Sequence, residues 1–139
     1  MNEIKFRVWS NQLNKMVYPN ERGWFDKCFI GKNQFIQSCQ LSLAIEKNGK
    51  ELEVMQYTGL KDKNGREIYE GDILELGIQK GILKSVVEYH SPTFCHRWIN
   101  LEGAGIRGKK IEPLFWNTNI IFEVIGNVYE NPELLEGEE

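Results

Sequence analysis

A mainly β fold follows from three features of the sequence. Apolar residues alternate with polar ones at period two in several short segments, the pattern of strands with one face buried. Asn-Gly pairs at 48–49 and 64–65 supply strong signals for tight reversals. Aromatic residues make up 12% of the chain and are spread from Phe6 to Tyr129, which suits pleated surfaces. At 139 residues with 41% hydrophobic content, the chain suffices for one domain or two very small ones with a core of ordinary size.

Ile4, Phe6 and Val8 alternate with Lys5 and Arg7, and Trp9 falls on the polar side. Turn formers over residues 10–14 then lead to a short returning strand, Met16-Val17-Tyr18, stopped by Pro19-Asn20, so a first hairpin is expected. Residues 24–30 form an apolar and aromatic patch closed by Gly31, while residues 35–38 are too short to assign. Leu41, Leu43 and Ile45 alternate with Ser42, Ala44 and Glu46, and Leu52 and Val54 resume after Asn48-Gly49. This predicts a second hairpin through a type I′ turn. A helix over residues 40–47 competes, because Leu41, Ala44 and Ile45 also share a helical face.

Residues 55–74 organise the rest. Gly59, Gly65 and Gly71 stand at turn-like intervals, where reversals call for the positive φ that glycine adopts at little cost. Leu60, Ile68 and the Ile73-Leu74 pair are apolar anchors between those bends. Gly71-Asp72 enters a strand over 73–76, Gly77 and Gly81 bound a loop, and residues 82–89 give a long strand centred on Val86-Val87 that Ser91-Pro92 breaks. Residues 94–101 read as the next strand. Phe94, His96, Trp98 and Asn100 share one side of it, and Cys95, Arg97, Ile99 and Leu101 the other. Gly103, Gly105 and Gly108 mark a surface loop closed by Lys109-Lys110, the kind of segment that carries binding contacts. Leu114-Phe115-Trp116, Ile120-Ile121 and residues 122–128 complete the β material around a turn at Asn117-Thr118-Asn119, and order ends at Asn131-Pro132.

Charge and cysteine usage narrow the function classes. The net charge of −3 is uneven, since residues 111–139 carry seven carboxylates and no Lys or Arg. That acidic end reads as a solvated tail in preference to an anionic contact for a basic partner. The weakly positive remainder lacks the footprint of a strong nucleic-acid binder. Three cysteines, Cys28, Cys39 and Cys95, without Cys-x-x-Cys spacing argue against a disulfide framework or a zinc knuckle and for free, buried thiols. No apolar run is long enough to cross a bilayer, and the first residues lack the basic and apolar regions of a secretory signal. A cytoplasmic protein without membrane association is therefore expected.

The run Gln56-Tyr57-Thr58-Gly59-Leu60-Lys61-Asp62, followed by Gly65-Arg66-Glu67-Ile68-Tyr69-Glu70-Gly71-Asp72, resembles the signature of the YopX family, small proteins of bacterial phages and prophages. The opening Ile4-Lys5-Phe6-Arg7-Val8-Trp9 and the closing residues 122–132 also look like that family's ends. The resemblance implies a β-rich protein with an SH3-like barrel, a phage or prophage origin and no established activity. The expected division is a β-hairpin segment over 1–54, an SH3-like β-barrel of YopX type over 55–130 sharing its core, and an acidic tail over 131–139.

Little in the sequence suggests catalysis. On a strand Cys95 and His96 point to opposite faces, which tells against joint metal ligation with His90 and against a Cys-His pair. Both histidines read as surface or edge residues. No Gly-x-Ser-x-Gly motif appears, and the glycines from 59 to 71 resemble neither a Walker loop nor the Gly-x-Gly-x-x-Gly fingerprint, so no enzyme, metal or cofactor is expected. Asp62, Asp72 and, more weakly, Thr58 suit the capping of backbone amides in their own turns. Tyr57, Thr58, Lys61, Asp62, Arg66 and Tyr69 are the candidate binding residues, with Tyr57, Lys61, Arg66 and Tyr69 as a displayed contact edge. Trp98, Lys109 and Lys110 are the candidates for a nucleic-acid surface, an aromatic platform beside basic residues. The preferred expectation is a non-enzymatic interaction module that self-associates or binds a host or phage protein. A weak nucleic-acid binder is the alternative.

Overall fold

The computed structural model describes residues 5–11, 14–18, 52–79, 81–115, 117–136 and 138. The chain divides into two compact units, Met1–Gln56 and Tyr57–Glu139. In the first, β1 (Phe6–Ser10) and β2 (Lys15–Val17) form the expected hairpin, with Val8 opposite Val17 and Ser10 opposite Lys15. Asn14 makes the turn with φ of 53°, a left-handed conformation that Asn tolerates better than most residues. The other side of β1 pairs with the first residues of β3 (Leu52–Lys61), so that Val8 faces Val54. As the middle strand of three, β1 is buried on both faces, and the expectation that Arg7 and Trp9 lie on a polar side is corrected. The Arg7 guanidinium sits 6.0 Å from the centre of the Tyr18 ring, a cation–π arrangement for a charge withdrawn from water. The expected apolar patch over 24–30, the strand or helix over 40–47 and the Asn48-Gly49 turn lie outside the described residues.

The second unit holds the end of β3, then β4 (Glu67–Tyr69), β5 (Asp72–Ile78), β6 (Gly81–His90), β7 (Thr93–Trp98), β8 (Ile111–Pro113) and β9 (Glu123–Asn127). Five of these make one antiparallel sheet in the order β8-β7-β6-β5-β9. The mainly β expectation therefore holds, and the only α-helical piece among the described residues is one turn, α1 (Thr118–Ile121). The sheet has an apolar cluster on each face. Leu74, Leu83, Val87, Trp98, Phe122 and Val124 gather with Ile68 of β4 on one face. Ile73, Val86 and Ile99 lie on the other, where Ile125, Val128, Leu134 and Leu135 pack against them. The alternation along β5 and β6 divides the two sets, as a strand buried on both faces requires.

Several boundaries differ from those the sequence suggests. Gly77 and Gly81 lie inside paired strands, opposite Ile82 and Ile78, and so do not bound a loop from outside the strands. Strand β7 ends at Trp98, because Asn100 turns its side chain back onto β6, donating to the Ile82 carbonyl (2.8 Å) and accepting from the Lys84 amide (2.9 Å). Residues 118–121 are helical and not strand. The turn is held by the Phe122 amide on the Thr118 carbonyl (3.2 Å) and by Thr118 Oγ1 on the Lys61 carbonyl (3.0 Å). Order also continues past Asn131-Pro132, since Pro132–Leu135 forms a 3-10 turn whose two leucines join the second cluster. No helix among the described residues is long and apolar enough to cross a membrane.

Candidate functional site

All three glycines of the central stretch adopt the conformation their spacing suggests, with φ of 87° at Gly59, 81° at Gly65 and 84° at Gly71. Gly59 lies where the register of β3 on β4 shifts between Tyr57 and Lys61, so it marks a bulge. Thr58 fastens that bulge, its Oγ1 donating to the Ile68 carbonyl (2.7 Å) and accepting from the Leu60 amide (3.1 Å). Asp62 does more than cap its own turn. One carboxylate oxygen accepts from the amides of Asn64 (2.9 Å) and Arg66 (2.8 Å), and the other accepts from the Val124 amide of β9 (2.9 Å), 62 residues away in sequence. Asp72 is buried and accepts from the Tyr69 amide (2.8 Å), closing the bend at Gly71 that feeds β5 into the sheet.

This geometry accounts for most of the candidate binding residues as architecture. The Tyr57 and Tyr69 rings are buried, 5.5 Å apart between centroids, and so do not form a displayed edge. Asp62 is buried, Thr58 is partly covered, and of the six only Lys61 and Arg66 are exposed.

The two histidines have different surroundings. His90 is exposed and pairs through Nε2 with Glu88 (2.9 Å), whose other oxygen accepts from Arg97 Nε (2.9 Å). Arg97 also meets Glu138. Burial, the largest influence on Glu88, acts upward on its pKa. The hydrogen bonds and charges of His90 and Arg97 together outweigh it and hold the carboxyl below its ordinary 4.5. His96 is 4% exposed, which corrects the expectation of a surface or edge residue. Its Nδ1 lies 3.0 Å from Ser85 Oγ, and its ring meets Trp98 and Phe122 edge-on at 4.7 and 5.3 Å. Desolvation pushes its pKa below 6.5, opposed by the charge of Glu112. Cys95 does face away from His96 and is a buried free thiol, whereas Cys28 and Cys39 lie outside the described residues. Among the described residues no three His, Cys, Asp or Glu side chains gather as a metal site.

A cavity of about 380 Å³ opens beside the loop that joins β7 to β8. The loop is built, not slack. Its ends are tied by the Trp98 amide on the Lys110 carbonyl (2.7 Å), and its middle is wound by Ile106 on Leu101 (2.9 Å) and Gly105 on Glu102 (2.9 Å). Leu101, Ala104 and Ile106 pack back against the sheet's first cluster. Trp98, Leu101 and Ile106 give the cavity an apolar wall, and Glu102, Arg107 and Lys110 give it charged groups. Trp98 is 7% exposed and its indole N–H is held by Glu112 (2.6 Å), so it walls the cavity and offers no open stacking face. Lys110 lines the cavity, and Lys109 is exposed beside it. Sequence reasoning marked the glycine loop and the lysines but missed Glu102 and Arg107. The available signal was Leu101 and Ile106, apolar residues spaced among glycines, which indicates a loop that folds onto a core.

A family model described as YopX protein matches residues 5–136. The fold is similar to that of protein EF1440 from Enterococcus faecalis, with 26% identity and a TM-score of 0.61 over 98% of this chain and 100% of that one. It is also similar to that of protein yopX from Bacillus subtilis, over the same shares of both chains, with 19% identity and a TM-score of 0.58. No curated protein matches the chain.

Proposed function

The chain belongs to the YopX family, and from that premise we propose that it is a non-enzymatic interaction module of phage or prophage origin that works in the cytoplasm and self-associates through the outer side of β8. The observation that carries this reading is a row of exposed apolar residues along β8 and just beyond it. Ile111 is 42% exposed and Phe115 55%, with exposed Pro113 between them, while Glu112 and Leu114 at the intervening positions are partly covered. Among the described residues β8 has a strand neighbour on one side only. Pro113 has no N–H to offer a further strand, so the contact is one of side chains and not of strand addition. We read the five-stranded sheet as the family's SH3-like barrel. Its antiparallel order and the bulge in β9, where Ile125 is the extra residue opposite Ile73 and Leu74, support that reading.

A non-catalytic role is supported by how the buried ionisable groups are used. Asp62 and Asp72 hold backbone amides, and His96 holds Ser85 inside an aromatic cluster. Sedimentation equilibrium tests self-association. The wild type should form a dimer at micromolar to millimolar concentration, and Ile111→Lys/Phe115→Lys should remain monomeric with an unchanged circular dichroism spectrum. A wild type that stays monomeric throughout that range would overturn the self-association, leaving a host or phage protein as the partner to seek.

A further inference from the structure

We infer that residues 132–138 are a displaceable strap, and that the sheet face beneath them is a docking groove for a segment of a partner protein with the strap's own chemistry. That segment is a short helical turn with two adjacent leucines and a carboxylate three residues after the second, as in Leu134, Leu135 and Glu138. The inference goes beyond the apolar row on β8 and does not rest on self-association there.

The ligand is read from what already sits in the groove. Ile73, Val86 and Ile99 form a floor nearly closed to solvent, and Leu134 and Leu135 pack against it. At the margin the Arg97 guanidinium meets Glu138 through Nη1. Its aim does not depend on the strap, because Arg97 Nε donates to Glu88 (2.9 Å) at the same time. When the strap lifts, the floor loses apolar cover while the cation stays pointed at the vacated place. An apolar floor with a held guanidinium at its edge selects a ligand that is apolar along one side and anionic at one end. A short turn with leucines on one side, docked in a groove, is an established mode of peptide recognition.

The strap's attachment makes it removable. Its backbone amides bond locally, Leu134 to the Asn131 carbonyl (3.0 Å), Glu136 to Glu133 (3.2 Å) and Glu138 to Leu135 (3.0 Å). Among the described residues no backbone hydrogen bond joins the strap to a strand, so its departure breaks no ladder and strands no buried amide. No residue of the 3-10 turn is buried, and the turn has no side-chain cap. The pair of Arg97 and Glu138 is partly open to solvent and adds little. Upstream, the Asn131 side chain accepts from the Asn127 amide (3.2 Å), which stops the opening before it reaches β9. Two half-covered leucines and one screened ion pair favour the closed strap by about thirty to one. A partner segment competes with this built-in copy of itself, and its apparent affinity falls by the same factor. The strap is therefore autoinhibitory.

Fluorescence anisotropy with a labelled peptide of residues 131–139 tests the groove. The full chain carrying Leu134→Ser/Leu135→Ser, whose own strap no longer competes, should bind the peptide about thirtyfold more tightly than the wild type. Glu138→Gln in the full chain keeps the leucines and should bind about threefold more tightly than the wild type, a readout that stands even where the double-serine chain does not fold. A peptide with serine in place of both leucines should not bind. Arg97→Ala in the double-serine chain and Glu138→Gln in the peptide should each weaken binding about threefold, and together no more than either alone, because they remove one shared contact. Arg107→Ala, in the β7–β8 loop that packs on the other face, should leave binding unchanged. By sedimentation, Ile111→Lys/Phe115→Lys should be monomeric. A dimer of that variant that depends on Leu134 and Leu135 would make a second copy the occupant and overturn the inference. So would absence of binding to both strap variants, equal binding by wild-type and double-serine chains, binding that survives loss of the peptide's leucines, or additive effects at Arg97 and Glu138.

Discussion

Asp62 ties its own turn to a distant strand of the second unit. Its two oxygens accept three backbone amides, from Asn64, Arg66 and Val124, inside a site closed to solvent. Removal leaves three donors in need of partners, so Asp62→Ala should lower unfolding free energy by about 3 kcal/mol, measured by urea denaturation. Asp62→Asn should recover only part of that. If the amide oxygen stays over the turn, its NH₂ group faces the Val124 N–H, donor against donor. His96 provides a titration test at the same scale. Its pKa is lowered from 6.5 in the fold, mainly by burial, so the unfolded chain takes up a proton first as pH falls. The stability that depends on neutral His96 is present above pH 6.5 and is lost progressively as pH drops towards the folded value. Urea midpoints of the wild type should therefore decline on acidification from pH 7. His96→Gln, which keeps a partner for Ser85 without a titrating ring, should hold level until the carboxylates begin to titrate. Glu88 acts lower in the range, its depressed pKa giving stability that is present above pH 4.5 and lost below it.

Strand β9 and the turn after it work as one element. Asn127 accepts from the amides of Tyr129 (3.0 Å) and Glu130 (2.8 Å) through its side-chain oxygen and donates to the Glu130 carboxylate (2.8 Å). Asn131 returns the contact by accepting from the Asn127 amide (3.2 Å). Gly126 leaves room for this clasp. A methyl group there would come within 3.0 Å of Asn131 Cβ and nearer still to its amide group. Gly126→Ala should cost about 2 kcal/mol and lower the thermal midpoint, with faster hydrogen exchange at Asn127 and Asn131 as the local signature. What could be read in the sequence follows the range of the forces involved. The glycines at 59, 65 and 71 and the hairpin of β1 and β2 were legible because turn chemistry is local. The Asp62 contact with Val124 and the burial of His96 were not, since Val124, Glu112 and Phe122 become neighbours only when distant strands pair. The helical turn at 118–121 escaped for a different reason. Over four residues the adjacent pair Ile120-Ile121 fits either period.

At the scale of the second unit, the sheet is a layer covered on two sides by material of unlike origin. One face packs against Ile68, Phe122 and the β7–β8 loop, the other against a short 3-10 turn near the end of the sequence. Leu134 and Leu135 are partly buried there, and Arg97 holds Glu138 on the same side. Leu134→Ser/Leu135→Ser should lower unfolding free energy by about 2 kcal/mol through lost apolar burial. Arg97→Ala should cost less, because its ion pairs are partly open to solvent. Comparing the two by chemical denaturation separates apolar cover from charge as the source of attachment. A double-serine variant as stable as the wild type would show that the segment contributes no cover.

The same late-arriving cover imposes an order on synthesis. A growing polypeptide delivers Ile73, Val86 and Ile99 well before Leu134 and Leu135, so for a time the emerging sheet presents a greasy side with nothing yet available to shield it. Stalled products ending before residue 132 should therefore aggregate, as turbidity would record, where the sequence that includes Leu134 and Leu135 stays dispersed.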